Sequence, residues 1–459
     1  DIDCTIFTGG EQTAYGMIKQ RSDIHLSAET GGKDATIVTS MSDRDQAVKN
    51  VVASAFTNSG QKCSATSLLV LEDELYNDEN FKRMLVDATE SLHVGSVWDF
   101  KNRIGTLSSK PSGNLQKALS YLDEGEEWLV PPSYAQGGNP YMLKPSIRWG
   151  TKEGDFCHMN ELFGPVLSVM RADDLKDAID AVNSTGYGLT SGVESLDERE
   201  QKIWSEKLKA GNLYINRSTT GAIVIRQPFG GMGKSAIGSG KKAGGFNYVT
   251  QFMNISADKF IFQKTHEFSS HGVFADEVAK TSEIAKDFVK WHREEFSKEH
   301  DYANVRGESN VIRYLGVKSV LLRCQSGDKL HEILSSITAA KIAGASLLIS
   351  LPKKIQSDEL VWLINNSRNI LAKEDVLELQ SDDELIESMK KAQRIRFLNP
   401  KHVTKNIYDA LKDETKHITS EPFVPHGRIE LLHYFIEQSV TNSYHRYGNL
   451  GVRGLKEDG

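Results

Sequence analysis

A chain of 459 residues is long enough for two or three domains. Hydrophobic residues make up 39% and charged residues 25%, which fits a soluble globular class. The formal net charge of -7 argues against a nucleic-acid surface, and no apolar run of about 20 residues suggests a membrane span. Cys4, Cys63, Cys157 and Cys324 form no CxxC pair, so no zinc site or redox dithiol is expected. So few cysteines point to a reducing, cytoplasmic setting. The chain opens at Asp1 directly in an apolar run, Ile2 to Phe7, without a signal peptide. We therefore expect a fragment that lacks its N-terminal partner.

Taken in chain order, the opening Cys4-Thr-Ile-Phe-Thr8-Gly9-Gly10 reads as a β-branched strand, a glycine turn and then a helix. That is the local grammar of a nucleotide-binding βα unit, although the full Gly-x-Gly-x-x-Gly spacing is absent. Residues 25 to 38 read as strand, Gly31-Gly32 turn, strand. Residues 43 to 59 are predicted helical, with Asp43 and Asp45 in the first turn and Val48, Val51, Val52, Ala55 and Phe56 on one face. Ser59-Gly60 ends that helix and Gln61-Lys62-Cys63 follows at once, before a strand in Ser67 to Glu72. Strands and amphipathic helices then alternate as far as Leu213 to Asn216, so the class is α/β. A glycine-rich block runs from Gly221 to Gly245. Residues 255 to 310 read as a charged, helix-prone connector, and a second α/β rhythm is expected from Asn310, without a phosphate-binding glycine signature after Ser319 to Arg323. The end of the chain, from Gly427, reads as one amphipathic helix, with Leu431, Leu432, Phe435 and Ile436 as its apolar stripe, and an aromatic-basic tail.

A cysteine attacks as its thiolate, so a catalytic one needs a positive field, a nearby base or a helix N-terminus. Cys63 stands in a Gly-Gln-Lys-Cys-Ser-Ala turn whose small residues allow close approach, and whose backbone N–H could hold an oxyanion. Glu29 is expected on a turn, beside Gly31-Gly32, rather than buried on a face. Either residue alone has an ordinary explanation: a small buried hydrophobe in one case, a solvated carboxylate in the other.

The combination resembles the aldehyde dehydrogenase superfamily. It is carried by Glu29-Thr-Gly-Gly-Lys33, by Gly60-Gln-Lys-Cys63 with Cys63 34 positions after Glu29, and by Asn160-Glu161-Leu-Phe163-Gly-Pro. The resemblance implies that Cys63 is the nucleophile and Glu29 the general base of thioester hydrolysis. It implies an NAD site at Thr8, Gly9 and Gly10, with Glu161 on the nicotinamide ribose and Phe163 beside it. The family commonly has Ser where this chain has Gly10, which puts one hydroxyl contact in question. Ser64, Gly221-Ala222 and Gln227-Pro-Phe229 further resemble glutamate-γ-semialdehyde (pyrroline-5-carboxylate) dehydrogenases. There, Ser64 and the backbone at Gly221 and Ala222 would hold the substrate's α-carboxylate, and Phe229 would pack on its aliphatic stem.

Asn310-Val-Ile-Arg-Tyr314, Arg394-Ile-Arg396, Glu437-Gln-Ser439 and Tyr444-His-Arg-Tyr447 resemble the C-terminal region of long-form proline utilization A. That is a bifunctional family with a flavin proline dehydrogenase ahead of the aldehyde dehydrogenase, so FAD would belong only to a region absent from this chain. The organisation so implied is 1–33 as the end of the NAD-binding domain and 34–230 as the catalytic domain. A return segment and connector (231–305), a Rossmann-like domain without cofactor (306–424) and a lid or assembly tail (425–459) follow. The expected activity is NAD-dependent oxidation of L-glutamate γ-semialdehyde to L-glutamate, and no metal is expected. Expected partners are the small aldehyde, the N-terminal half of the same polypeptide and further copies of it. Two other readings stand beside this one: a dehydrogenase of another carboxylated aldehyde, and an assembly fragment inactive without its N-terminal half. His445 is read as a packing or hydrogen-bonding group, not a second active site.

Overall fold

The computed structural model describes residues 2–255, 274–414 and 416–445. Among these, the first half of the chain contributes β1 (Cys4–Thr8), β2 (His25–Glu29), β3 (Ala35–Val38), β4 (Leu68–Glu72), β5 (Glu127–Val130), β6 (Ser146–Thr151), β7 (Val166–Ala172), β8 (Thr190–Glu194), β9 (Asn212–Ile215) and β10 (Ala236–Ile237). The second half contributes β11 (Glu308–Gly316), β12 (Ser319–Arg323), β13 (Ser346–Pro352), β14 (Val376–Gln380), β15 (Arg394–Phe397), β16 (Ile418–Thr419) and β17 (Phe435–Ser443). They build three sheets: β1-β2-β10; β11-β17-β9-β8-β3-β4-β7-β6-β5; and β14-β13-β12-β15-β16. No helix of the described residues is long and apolar enough to cross a membrane.

The expected alternation is observed, and its local causes are visible. Helix α1 (Glu11–Gln20) follows β1 through Gly9-Gly10. Helix α2 (Arg44–Phe56) starts at Asp43, whose side chain accepts from the Gln46 N–H at 3.2 Å. Its buried face is Ala47, Val48, Val51, Val52, Ala55 and Phe56, which packs under the nine-stranded sheet with Leu69, Leu71, Ile147 and Leu167. The other face of that sheet is covered by the helix Leu175–Ser184 and by Trp204 and Leu208. The sheet is therefore buried on both sides, as a mostly parallel sheet requires. The five-stranded sheet is parallel throughout. Numbered from β12, its strand order is 3-2-1-4-5, the order of a doubly wound half.

Three expectations change. The helix-prone connector at 255–310 does form a helix, Ala275–Trp291, but instead of only linking, it packs Ile284 and Phe288 into the core of the C-terminal body; residues 256–273 of that stretch lie outside the described residues. β11, expected to open the second α/β unit, instead forms the edge of the nine-stranded sheet. The amphipathic helix expected after Gly427 is only one turn, Gly427–Glu430, with a 3-10 turn to His433; the chain then becomes β17. The apolar stripe ends at Ile436, while the next residues must serve a strand flanked on both sides. β17 pairs antiparallel with β11 from Phe435 to Ser443 and parallel with β9 from Ser439 to Asn442. Two ladders satisfy its backbone, which one isolated helical face could not outweigh. Residues 446–459 of the expected tail lie outside the described residues.

An ion pair fixes the turn that leads into β17. Arg396 of β15 meets Glu430 at 3.0 Å, and both side chains are fully buried. Glu430 also accepts from the Val424 N–H and the Tyr434 hydroxyl. Glu430→Gln leaves an uncompensated guanidinium, and breaking such a pair costs about 3–5 kcal/mol. We expect a clearly lowered urea midpoint for that variant; an unchanged midpoint would mean that the turn into β17 is held by packing alone.

Candidate active site

Three loop segments meet at the C-terminal ends of β2, α2 and the short helix Phe156–Met159. The first is the turn that carries Cys63. After α2 the backbone takes left-handed φ values at Asn58, Ser59 and Gly60 in succession (59°, 57° and 64°). The Ser59 hydroxyl donates to Gly105 O at 3.1 Å, which fixes that turn. A Cβ on Gly60 would lie 2.4 Å from Gly164 O, so no other residue fits there. Gln61 completes the junction: its Nε2 donates to Phe163 O at 3.2 Å and its Oε1 accepts from Ser108 N at 2.9 Å. Cys63 follows, half-buried.

The second segment is Glu161 to Gly164. The Glu161 carboxylate accepts from the Gly32 N–H at 3.3 Å, and a Cβ on Gly31 would stand 2.4 Å from Glu161 Oε2. Phe163 is exposed and adopts a positive φ of 52°. The third segment ends in Glu29, the last residue of β2. Glu29 is drawn inward rather than left on the turn: it accepts from the Gly231 N–H at 2.7 Å, across from the glycine-rich block. Thr8 is its register partner in β1, and the Gly9 N–H donates to Glu29 O at 3.1 Å. The Thr8-Gly9-Gly10 turn thus abuts Glu29. Gly10 starts α1 without any side-chain cap, so its first-turn donors face no competing side-chain acceptor from the cap residue. This fits the pyrophosphate of a dinucleotide, and the Glu161 carboxylate fits ribose hydroxyls.

Electrostatics here follow from burial. Desolvation raises Glu29 to about 7, against the pull of Lys242 and the Gly231 hydrogen bond. It raises Glu161 to about 7 as well, against Gly32 and Lys33. Burial also pushes the Cys63 thiol up to about 11, with Asp34, Glu161 and Glu29 adding to the effect. The turn therefore keeps Cys63 as a thiol, and supplies no positive field of the kind expected for a catalytic cysteine. Two carboxyls near 7 are suited to proton transfer at neutral pH.

Ser64 is buried next to Cys63, and its carbonyl accepts from Thr219 Oγ1 at 2.8 Å. Thr219 in turn leads through buried Thr220 into Gly221 and Ala222, which are exposed, and Gly221 has a φ of 89°. Phe229 is half-buried and exchanges backbone hydrogen bonds with Ala243 at 2.8 and 2.9 Å. Ser64 and the Gly221 loop are thus brought together. Sequence reasoning passed over Asp34 and Lys242. Asp34 is buried, accepts from Thr190 N at 2.7 Å and is pushed well up by burial. Lys242 is a lone buried cation in the glycine-rich block; the only sequence signal was a lysine amid glycines.

Residues 1–257 match the aldehyde dehydrogenase family. The chain belongs to that family. Its fold is the aldehyde dehydrogenase α/β fold over this part. Among family members, the 1-pyrroline-5-carboxylate dehydrogenase of Bacillus cytotoxicus is 34% identical over 257 residues, 54% of this chain and 49% of that protein. The solved proline utilization A (PutA) of Corynebacterium freiburgense is 35% identical, with a TM-score of 0.76 over 98% of this chain and 42% of that one. The 1-pyrroline-5-carboxylate dehydrogenase from Thermus, solved with bound NAD, is 33% identical, with a TM-score of 0.50 over 55% of this chain and 49% of that one. The chain spans about half the length of the curated relatives it matches.

A raised thiol pKa has a direct consequence in this chain. Alkylation of Cys63 by iodoacetamide is expected to rise about tenfold per pH unit between pH 7 and 10, because only the thiolate reacts. Buried Cys157 and Cys324 should stay unlabelled in the folded chain. Fast labelling of Cys63 that does not change with pH, read by peptide mass spectrometry, would show a thiolate already present at neutral pH.

Proposed function

We propose that this chain is the C-terminal part of an NAD-dependent L-glutamate γ-semialdehyde dehydrogenase, acting in the second step of proline catabolism. We further propose that it belongs to a bifunctional polypeptide with a flavin proline dehydrogenase. The observation that carries the reading is the meeting of Cys63, Glu29 and Glu161 with the Ser64 and Gly221 segment at one locus. Likeness to 1-pyrroline-5-carboxylate dehydrogenases over 1–257, and to a proline utilization A over 98% of the chain, supports the same reading.

In this mechanism the Cys63 thiol passes its proton to solvent and Sγ adds to the aldehyde carbon, whose C=O π pair moves onto oxygen to give a thiohemiacetal oxyanion. NAD, when bound, supplies the hydride acceptor. Thr8, Gly9 and Gly10 would hold its pyrophosphate, and Glu161 its ribose with Phe163 alongside. The Cys63 backbone N–H is a donor for the developing oxyanion. Loss of hydride leaves a thioester on Sγ. Glu29 then takes a proton from water as the water oxygen adds to the thioester carbonyl, and the C–S bond breaks to release the acid. Ser64 and the N–H groups at Gly221 and Ala222 would hold the α-carboxylate, with Phe229 against the stem.

The organisation proposed with it is 1–33 and 34–230 as cofactor and catalytic parts, 231–305 as a return segment, 306–424 as a Rossmann-like unit and 425–459 as an assembly tail. β11 is shared with the catalytic sheet. A cytoplasmic location and self-association complete the reading; the four free cysteines support the first.

Two variants of the full-length protein test it. Glu29→Gln should keep a burst of NADH and lose about 10²–10⁴-fold in the steady state, since general-base help is worth that much. A steady-state rate equal to wild type removes Glu29 from the mechanism. Ser64→Ala should lose roughly 10- to 150-fold in kcat/KM for glutamate semialdehyde, the value of a charged hydrogen bond, and little for an aldehyde without an α-carboxylate. Equal losses on both aldehydes would assign Ser64 to the nucleophile instead.

A further inference from the structure

Lys242 is fully buried, and its ammonium donates to two carbonyls, Gly230 O and, at 3.0 Å, Gly231 O. The same Gly230–Gly231 peptide carries, on its other side, the N–H that donates to Glu29 at 2.7 Å. A single peptide group is thus clamped between a cation on its oxygen and a carboxylate on its N–H. A cation on the carbonyl draws electron density from the amide and strengthens the N–H as a donor, because linked hydrogen bonds polarise one another. No other residue fits between the charges: a Cβ on Gly230 would lie 2.7 Å from Glu29 Oε1 and 3.1 Å from Lys242 Cδ.

Lys242 is itself held from β17. Its backbone N–H donates to Glu437 at 2.6 Å, and Asn247 fixes the other oxygen of Glu437 at 2.6 Å. Glu437 N also donates to Gly240 O at 3.2 Å. The charged groups that bear on Lys242 are Glu29 and Glu437; those that bear on Glu437 are Lys242 and Lys241. Among the described residues, Lys242 is the cation whose charge acts on Glu29, and Glu29 lies near the Cys63 thiol.

We propose that Lys242, anchored by Glu437 of the C-terminal strand, is a positioning residue that acts through the Gly230–Gly231 peptide to orient Glu29 and to favour its ionised form. This rests on the reading of Glu29 as the deacylation base. In this role Lys242 acts only through the peptide its ammonium holds. Its positive charge lowers the Glu29 pKa from where burial alone would put it, and the balance stands at about 7. Lys242, pulled down to about 8 by its own burial, loses that charge as the solution becomes alkaline. Its help is therefore confined to the neutral range.

The test is the pH profile of steady-state kcat in the full-length enzyme, with the NADH burst measured alongside. Lys242→Met removes the cation, so the Glu29 pKa rises and the acid limb moves to higher pH. A shift of about one unit from a value near 7 cuts the ionised fraction, and hence kcat, roughly fivefold at pH 7, and leaves kcat almost unchanged at pH 9. The burst should persist, because acylation does not need the base in this role. Glu437→Gln keeps the Lys242 side chain while weakening its anchor, and should move the same limb in the same direction by less; it carries the test if Lys242→Met does not fold. An acid limb unmoved in the variant that folds, or a loss equal at pH 7 and pH 9, overturns the proposal alone. A wild-type enzyme without NADH formation from glutamate semialdehyde overturns the function reading, and this proposal with it.

Discussion

The Gly60 backbone touches the Gly164 carbonyl so closely that a Cβ would sit 2.4 Å from it, and the rest of the site depends on this contact. It brings the turn before Cys63 against the segment that carries Glu161. The Gln61 amide can then span from Phe163 to Ser108. Glu161 is in turn pressed on Gly31 and Gly32, at the end of the strand that carries Glu29. Backbone-to-backbone packing of this kind excludes water from the space between the loops. Carboxyls left there lose solvation, so both Glu29 and Glu161 rise to about 7, and the thiol rises with them. The reactive character of the site is a product of close glycine packing more than of neighbouring charges.

The C-terminal body is coupled to that locus by a strand rather than by a lid resting on the surface. Arg396 and Glu430 fix the turn at residues 427–434, and β17 then enters the large sheet between β11 and β9. Its buried Glu437 and Gln438 find partners across the junction. Gln438 donates to Ala210 O at 2.7 Å and accepts from Arg313 at 2.8 Å, while Glu437 meets Asn247 and the Lys242 N–H. A buried carboxylate without such donors would cost several kcal/mol. The last strand of the described residues therefore borders the glycine-rich block that faces Glu29.

Much of this organisation was legible in the residues. The βα opening, the helix that starts at Asp43, and the strand-helix-strand run from Ser319 to Pro352 all follow from periodicity and from caps, which are local properties. Cys63 and Glu29 stood out because glycines surround them and because their spacing matched a family. Other features had no local signature. Phe435 to Ser443 reads as the end of an amphipathic helix until two neighbouring strands satisfy its backbone and take in its polar side chains. Ile284 and Phe288 look like incidental apolar residues in a charged stretch until a core forms around them.

The amino-acid sequence by itself determined which residue types were available for the chemistry: a cysteine in a small-residue turn, a glutamate before two glycines, and a serine directly after that cysteine. It also determined the α/β alternation, since helix and strand periods are written in single segments. The tertiary structure alone decided their charge states, because burial of Glu29, Glu161 and Cys63 depends on segments far apart in the chain closing over them. It alone put Lys242 and Glu437 behind Glu29, through one peptide group and one strand. Sequence patterns report what a segment does with its near neighbours; desolvation and hydrogen bonding between distant segments exist only once the chain has closed on itself.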